Sequence, residues 1–262
     1  VVNPRHRQIL EYLIRRQTAS IQELADACDV SPVTIRRDLA ALEAQDRLAR
    51  THGGATLVDS GVAEFAYGGA PVQHRAEKEA IGRAAAAHIQ PGMAVSLDTG
   101  TTTLEVARAI RGMRDLRVLT TSLAIASCLC TQEGIEVVLL GGTVRRGSPD
   151  LTGPLTEENL AKFRVNLAIL GADGVSPDGI FTTDGNIARV SLGLMGSAHL
   201  SILVIDSSKL EQPVFVRFAG WAEIDRVITD NGIPAGARDW LDEVGPRVEY
   251  VETKKRKQIG ER

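Results

Sequence analysis

The segment Val30–Leu42, VSPVTIRRDLAAL, decides how the chain is read. Ser31 stands where a helix N-cap belongs, its hydroxyl placed to accept from an orphan N–H of the first turn. Pro32 follows at the first helical position, where its missing N–H is no loss. Ile35, Leu39 and Leu42 fall at i, i+4 and i+7 and predict one apolar stripe. Val33, Thr34, Arg36 and Arg37 lie off that stripe. Small contact residues and two arginines near the outward start of a helix suit entry into a DNA major groove. A surface helix with a solvated charged face has the same composition, so the flanks decide.

Upstream, Pro4 opens a predicted helix over residues 4–16, with Ile9, Leu10, Leu13 and Ile14 on its buried face. Ser20-Ile21-Gln22-Glu23 is a capping box, Ser20 bonding forward and Glu23 back to the N-cap N–H. Leu24, Ala25 and Cys28 give a short second helix its apolar side, and Asp29-Val30 turns into the third. Two helices joined by a short turn, the second carrying the contact residues, is the helix-turn-helix arrangement. Downstream, residues 47–52 read as a strand, Gly53-Gly54 as a tight turn and residues 55–58 as its return. This wing brings Arg50 and His52 to the DNA backbone or minor groove. So short a hairpin is marginal alone and has to pack on the helices.

VSPVTIRRDLAALEAQDRLARTHGGA closely resembles the winged-helix head of the DeoR family of bacterial transcriptional regulators, in its VS-x-x-TIRRDL run and its R-x-HGGA wing. The resemblance implies operator DNA as partner.

Composition is compatible with this but does not point to it. The 262 residues are 44% apolar and 24% charged with a net charge of −3, ordinary for a globular protein, so any DNA contact rests on a local patch. Residues 1–56 hold eight Arg against seven acids, but Arg outnumbers Lys throughout, 24 to 6, and the excess carries no argument. Cys28, Cys128 and Cys130 and the five histidines have no metal-ligand spacing; the cysteines read as buried thiols, and no cofactor or metal is expected. With no signal peptide and no apolar run near the ~18 residues of a membrane span, the expected location is cytoplasmic.

Residues 57–75 read as a linker, and from Ala76 the pattern changes. A helix from Glu77 to about His88 is followed by apolar strands at 94–97, 118–120, 137–140, 167–170, 202–205, 227–228 and 248–251. Helices are expected near 101–111, 122–132, 155–163, 186–199 and 235–243. Such alternation predicts a doubly wound, mostly parallel α/β domain over 76–252, helices covering both faces of the sheet. The basic residues Lys254–Lys257 belong to a tail, 253–262, read as disordered with auxiliary DNA contact as the lesser alternative.

Ligands of such sheets sit beyond the C-terminal ends of the strands. After the first strand, Asp98-Thr99-Gly100-Thr101-Thr102-Thr103 opens a helix: a glycine for close approach, a helix N-terminus and three hydroxyls, an anion cradle suited to phosphate. A capped strand-to-helix turn without ligand is the plainer reading of the same residues. Thr121 follows the second strand, Gly141-Gly142 the third, Gly171-Ala172-Asp173 the fourth and Asp206-Ser207-Ser208-Lys209 the fifth.

This half resembles the effector domain of the same family, itself similar in fold to ribose-5-phosphate isomerase. The matching elements are Glu77-Lys78, the D-x-GTT run from Asp98, the GG at 141–142, Gly153 and the D-x-SK run to Lys209. The resemblance implies a phosphorylated sugar or polyol, with Thr101, Thr102 and Thr103 on the phosphate and Lys209 as charged partner. Asp98, Gly100, Thr121, Gly142 and Asp173 complete the candidate set.

Three departures stand out: Thr121-Ser122 where the family has Asn-Ser, Arg189 as the one charge between Asn186 and Ala198, and Asp173 followed by Gly174 where the isomerases carry adjacent acids. The first two leave the effector's identity open; the third argues against isomerase chemistry. The expectation is a non-enzymatic repressor of sugar or polyol catabolism genes, a homodimer or homotetramer on repeated half-sites. An isomerase-like enzyme with a DNA-binding head, and a regulator with an altered or lost effector, are the alternatives.

Overall fold

A computed structural model of the chain describes residues 3–16, 18–44, 48–51, 53–56 and 73–253. His52, residues 57–72 of the expected linker 57–75 and the basic tail from 254 lie outside the described residues; the linker's last residue, Arg75, already belongs to a helix. The chain divides into two compact units, Val1–Pro71 and Val72–Arg262.

In the smaller unit α1 (Pro4–Arg16), β1 (Thr18–Ser20), α2 (Ile21–Cys28) and α3 (Pro32–Ala44) follow one another, then β2 (Ala49–Thr51) and β3 (Gly54–Thr56). The capping box forms as read: the Glu23 N–H donates to Ser20 Oγ at 3.2 Å and the Ser20 N–H to Glu23 Oε2 at 2.7 Å. Asp29 ends α2 at a φ of 52°. The stripe Ile35, Leu39 and Leu42 is fully buried against Ile9, Leu13, Leu24 and Leu48.

The wing has a strand that its sequence does not announce. β3 pairs antiparallel with β2 on one side and with β1 on the other. The triplet Thr18–Ser20 is too short to show a period, yet it gives the hairpin the third strand it needs. Gly54 permits this, because a Cβ there would lie 2.0 Å from the Ala19 carbonyl oxygen.

The larger unit is built on seven strands: β4 (Ala94–Leu97), β5 (Leu116–Thr120), β6 (Ile135–Leu139), β9 (Val165–Leu170), β12 (Ala198–Val204), β14 (Arg226–Asp230) and β15 (Arg247–Val251). All pair in parallel, in the spatial order β15-β14-β12-β9-β4-β5-β6. The helices are α4 (Arg75–Ala86), α5 (Thr101–Ala109), α6 (Leu123–Leu129), α7 (Pro154–Leu160), α8 (Gly185–Gly196) and α9 (Ala235–Glu243). Among the described residues none is long and apolar enough to cross a membrane.

β9 shows why its strand reads as an unbroken apolar run. Ala168 and Leu170 join Leu203 of β12 and Ile205 just beyond it in a cluster with Leu160 of α7 and Val190 and Leu194 of α8. Leu167, Ile169 and Ile202 point to the opposite face and are buried as well. α4 packs on β12, β14 and β15 and against α5.

Elements not expected from the sequence are short. β7 (Thr143–Val144) and β8 (Leu151–Thr152) form a two-stranded ribbon; β10 (Gly174–Ser176), β11 (Gly179–Thr182) and β13 (Val216–Ala219) form a small antiparallel sheet. The expectation of three buried thiols is corrected: Cys128 is buried, Cys28 half-buried and Cys130 exposed beyond the last turn of α6. Trp221 and Trp240 pack together with ring centroids 5.8 Å apart.

α4 and α5 touch closely at Gly82, where a Cβ would stand 2.6 Å from the Glu105 carbonyl carbon. Gly82→Val is therefore expected to destabilise the larger unit by about 1–3 kcal/mol. Both tryptophans lie in that unit, so their fluorescence in a urea titration reports it. An unchanged midpoint would contradict so close a contact.

Candidate functional site

The contact residues of α3 are placed by its burial. With Ile35 and Leu39 inward, Arg36 and Arg37 are exposed and Val33 is 70% exposed. Ser31 caps the helix, accepting from the Thr34 N–H at 3.3 Å, and its hydroxyl lies 2.9 Å from that of Thr34. Both hydroxyls thus already serve the helix start. Arg50 is tied to α3: its Nε donates to Glu43 Oε2 at 2.6 Å and its N–H to Oε1 at 3.1 Å. An exposed pair of this kind is worth about 0–1 kcal/mol, so a phosphate can replace the carboxylate. His52 cannot be placed beside it, being outside the described residues.

The aspartate of the TIRRDL run faces inward. Asp38 is 5% exposed and accepts from Arg5 Nη2 at 3.1 Å, with His6 Nε2 at 3.2 Å, tying α3 to the start of α1. The Arg5 hydrogen bond, with His6 helping, holds its carboxyl below the usual range. Its place on the flank of the buried stripe, three residues after Ile35, was the available signal.

In the larger unit the strand order reverses between β4 and β9. β5 and β6 lie on one side of β4, while β12, β14 and β15 continue beyond β9. The two connections leave in opposite directions and open a crevice at the carboxyl ends of β4 and β9, the switch point where such sheets bind ligands.

Asp98 sits in that crevice, 2% exposed. It accepts from Ser191 Oγ of α8 and from the Thr99 N–H, each at 2.8 Å, and from the backbone of Gly171 at the end of β9. Burial raises its carboxyl from 3.8 to about 7 against those hydrogen bonds. Gly100 has a φ of 137° and precedes α5. Thr101 is half-buried and Thr102 nearly covered. Thr103 departs from its expected role: its hydroxyl donates to the Gly100 carbonyl at 3.0 Å and is fully buried, so it shapes the loop.

Thr121 is fully buried beyond β5, with Oγ1 lacking a hydrogen-bond partner. Gly142 packs inward rather than toward a ligand: a Cβ would lie 1.9 Å from Thr156 Oγ1, itself hydrogen-bonded to the Gly141 carbonyl at 2.7 Å. Asp173 is also engaged, its Oδ2 accepting from the hydroxyls of Thr182 and Thr183 and the Thr183 N–H at 2.9–3.0 Å. Arg189 pairs with Glu157 at 2.9 Å.

Lys209 stands half-buried in the short 3-10 turn after β12. Beside it is a lysine whose role the sequence does not betray. Lys78 of α4 is 6% exposed, its Nζ 3.7 Å from Asp206 Oδ2, and burial first, then the charge of Lys209, push its pKa down against the pull of Asp206. Glu77-Lys78 is among the elements shared with the family's effector domain, but its spacing gives Lys78 no role; α4's packing carries it to the sheet's carboxyl edge. Among the described residues no cluster of three or more His, Cys, Asp or Glu is arranged to hold a metal.

Asp98 makes a pH prediction. The folded chain holds its proton more tightly than the unfolded one, so its stabilising contribution is complete below its ordinary 3.8 and is lost as the pH rises to about 7. Asp98→Asn, which cannot ionise, is expected to flatten the pH dependence of the urea midpoint across that window. Identical slopes in the two proteins would show that Asp98 ionises normally.

The geometry agrees with what the chain is similar to. The DeoR-like helix-turn-helix domain matches residues 5–61 and the DeoR C terminal sensor domain matches residues 73–231. A putative aga operon transcriptional repressor of Escherichia coli O157:H7 is 34% identical over 94% of this chain and 93% of its own length. The HTH-type transcriptional regulator GlpR of Haloferax volcanii is 36% identical over 93% and 96%, and the glycerol-3-phosphate regulon repressor of Escherichia coli K12 32% over 90% and 94%. Among solved structures, ribose 5-phosphate isomerase from Plasmodium falciparum overlaps 51% of this chain and 52% of its own at 19% identity and a TM-score of 0.37, too loose to bear on function. With both of its units matched in order and relatives aligned over nine tenths of their length, the chain belongs to the DeoR family of transcriptional regulators.

Proposed function

We propose that the chain is an operator-binding repressor whose hold on DNA is set by a phosphorylated sugar or polyol at the β4/β9 crevice. The observation that carries the ligand reading is the lysine pair. Lys78 and Lys209 both gather at Asp206 on the carboxyl edge, Lys78 Nζ 3.7 Å from Oδ2 and the Lys209 N–H bonded to the Asp206 carbonyl, two cations to one carboxylate, an arrangement that an anion relieves. Lys209 follows β12 and Thr101 follows β4, two strand spacings or about 10 Å apart with β9 between them, so the phosphate is assigned to the lysines and not, as the resemblance implies, to Thr101–Thr103. One phosphorylated sugar spans that distance. Relatives named as repressors of an aga operon and of a glycerol-3-phosphate regulon support the same reading.

On the DNA side, Arg36 and Arg37 are assigned to phosphates or guanines and Val33 and Thr34 to base edges, the exposed valine meeting a thymine methyl. Arg50 and His52 serve the wing. One head offers few contacts, so a homodimer or homotetramer reads repeated half-sites. The protein acts in the cytoplasm, on the operator. Effector binding shifts the heads only if it favours one of their arrangements over the other. An isomerase-like activity has less support, because Oδ2 of Asp173 is engaged by three donors of its own loop and the chain lacks the adjacent second acid.

Two measurements test this. Replacing Arg36 and Arg37 by Ala is expected to weaken operator binding and to flatten its salt dependence by about 0.9 per lost phosphate contact; unchanged affinity and slope would place the DNA elsewhere. In a thermal-shift panel, a sugar phosphate at about 100 times its dissociation constant is expected to stabilise the larger unit by roughly 2.7 kcal/mol. No shift from any sugar phosphate would refute the effector reading.

A further inference from the structure

Six buried side-chain oxygens among the described residues have no hydrogen-bond partner: Ser96 Oγ, Thr99 Oγ1, Thr121 Oγ1, Asp150 Oδ1, Asp206 Oδ2 and Thr229 Oγ1. Ser96 and Thr229 lie within strands β4 and β14, and Asp206 faces Lys78. Thr99 and Thr121 follow β4 and β5, and Asp150, in the turn of the β7–β8 ribbon, is bridged to Ser122 beside them. Asp150 is the most costly of them, since a carboxylate sealed from water needs donors at both oxygens.

Asp150 is held in place from several directions. Its backbone bridges to Ser122, the Leu151 N–H bonds the Thr121 carbonyl, and the Arg145 N–H bonds the Asp150 carbonyl at 2.9 Å. Its side chain is fully buried, and Oδ2 accepts from Arg145 Nε at 3.0 Å. It lies close enough to Asp98, on the neighbouring connection, for its charge to be felt there. Through its bridge to Ser122 the structure thus seats a second buried carboxylate beside the end of β5 and leaves one of its oxygens unsatisfied. Hydrophobic packing would be served better by almost any apolar residue.

We propose that Asp150, oriented by Arg145, selects the effector at the end away from its phosphate. Oδ1 accepts a hydrogen bond from a sugar hydroxyl, with the Thr99 and Thr121 hydroxyls beside it. Its charge turns away ligands that carry a carboxylate at that end. Oδ1 is closed to solvent, so the ligand hydroxyl meets it by displacing the tip of the turn at Arg146 and Gly147, which are exposed, while Arg145 stays on Oδ2. This assignment rests on the sugar-phosphate reading of the crevice and adds to it the chemistry of the distal end: hydroxylated, not carboxylated.

Calorimetric titration of the full chain tests it, with inorganic phosphate, ribose 5-phosphate, fructose 6-phosphate, glucose 6-phosphate and 6-phosphogluconate as probes. Inorganic phosphate is expected to bind wild type and Asp150→Asn alike. The sugar phosphate that binds wild type best is expected to lose roughly tenfold or more in Asp150→Asn, the scale of a hydrogen bond to a charged group, and less in Arg145→Gln. In wild type 6-phosphogluconate binds more weakly than glucose 6-phosphate, and Asp150→Asn narrows that gap, which a purely structural role of Asp150 would not do.

Equal sugar-phosphate affinity in wild type and Asp150→Asn, with the gap unchanged, would overturn the assignment while leaving the effector reading intact. A wild type that binds no sugar phosphate better than inorganic phosphate would overturn both. If Asp150→Asn does not fold, the wild-type comparison decides: 6-phosphogluconate binding as tightly as glucose 6-phosphate refutes the assignment.

Discussion

The Asp98 N–H donates to the Ile169 carbonyl at 3.0 Å, and at that hydrogen bond the chain's two halves of a sheet part company. β4 and β9 lie side by side up to this point; beyond it their connections turn away from each other because the remaining strands add on opposite sides. A crevice opens there. Asp98 closes part of the gap by accepting from both walls and from Ser191 of α8. The burial this demands is the same burial that makes its ionisation costly. The remaining polar groups of the crevice are arranged around that node.

The charges around the crevice are distributed unevenly. Lys78 and Lys209 gather on the β12 side, where Asp206 offsets only part of their charge. Asp98 and Asp150 gather near β4 and β5, with Arg145 bonded to Asp150. A ligand with a phosphate at one end and hydroxyls at the other matches this polarity. The small unit solves a different problem. Its few buried side chains hold three helices, and Asp38 with Arg5 locks α3 so that the residues beside it in sequence, Arg36 and Arg37, are left facing outward.

Much of this was legible in the sequence because it follows from period and local chemistry. The stripe Ile35-Leu39-Leu42 fixed which residues of α3 face out. The Ser20–Glu23 box and the apolar strand runs placed helices and strands where they are found. What escaped the sequence was either too short to have a period, such as β1 and the β7–β8 ribbon, or depended on which long-range neighbour an atom met. Thr103 and Gly142 look like ligand contacts in a list of residues, yet one bonds its own loop and the other packs on Thr156.

By itself, then, the sequence determined the family, the two kinds of folding unit, the outward face of α3 and the polar character of the sheet's carboxyl edge. These are set by residue spacing, capping chemistry and the alternation of strands with helices, all local properties. Only the tertiary structure decided which polar groups at that edge are spent on the protein and which are left over. Lys78 is carried there by the packing of α4, and Asp150 is sealed in with one oxygen unserved by contacts to Ser122, Thr121 and Arg145. Burial and hydrogen-bond satisfaction are properties of neighbours in space, and no spacing along the chain encodes them.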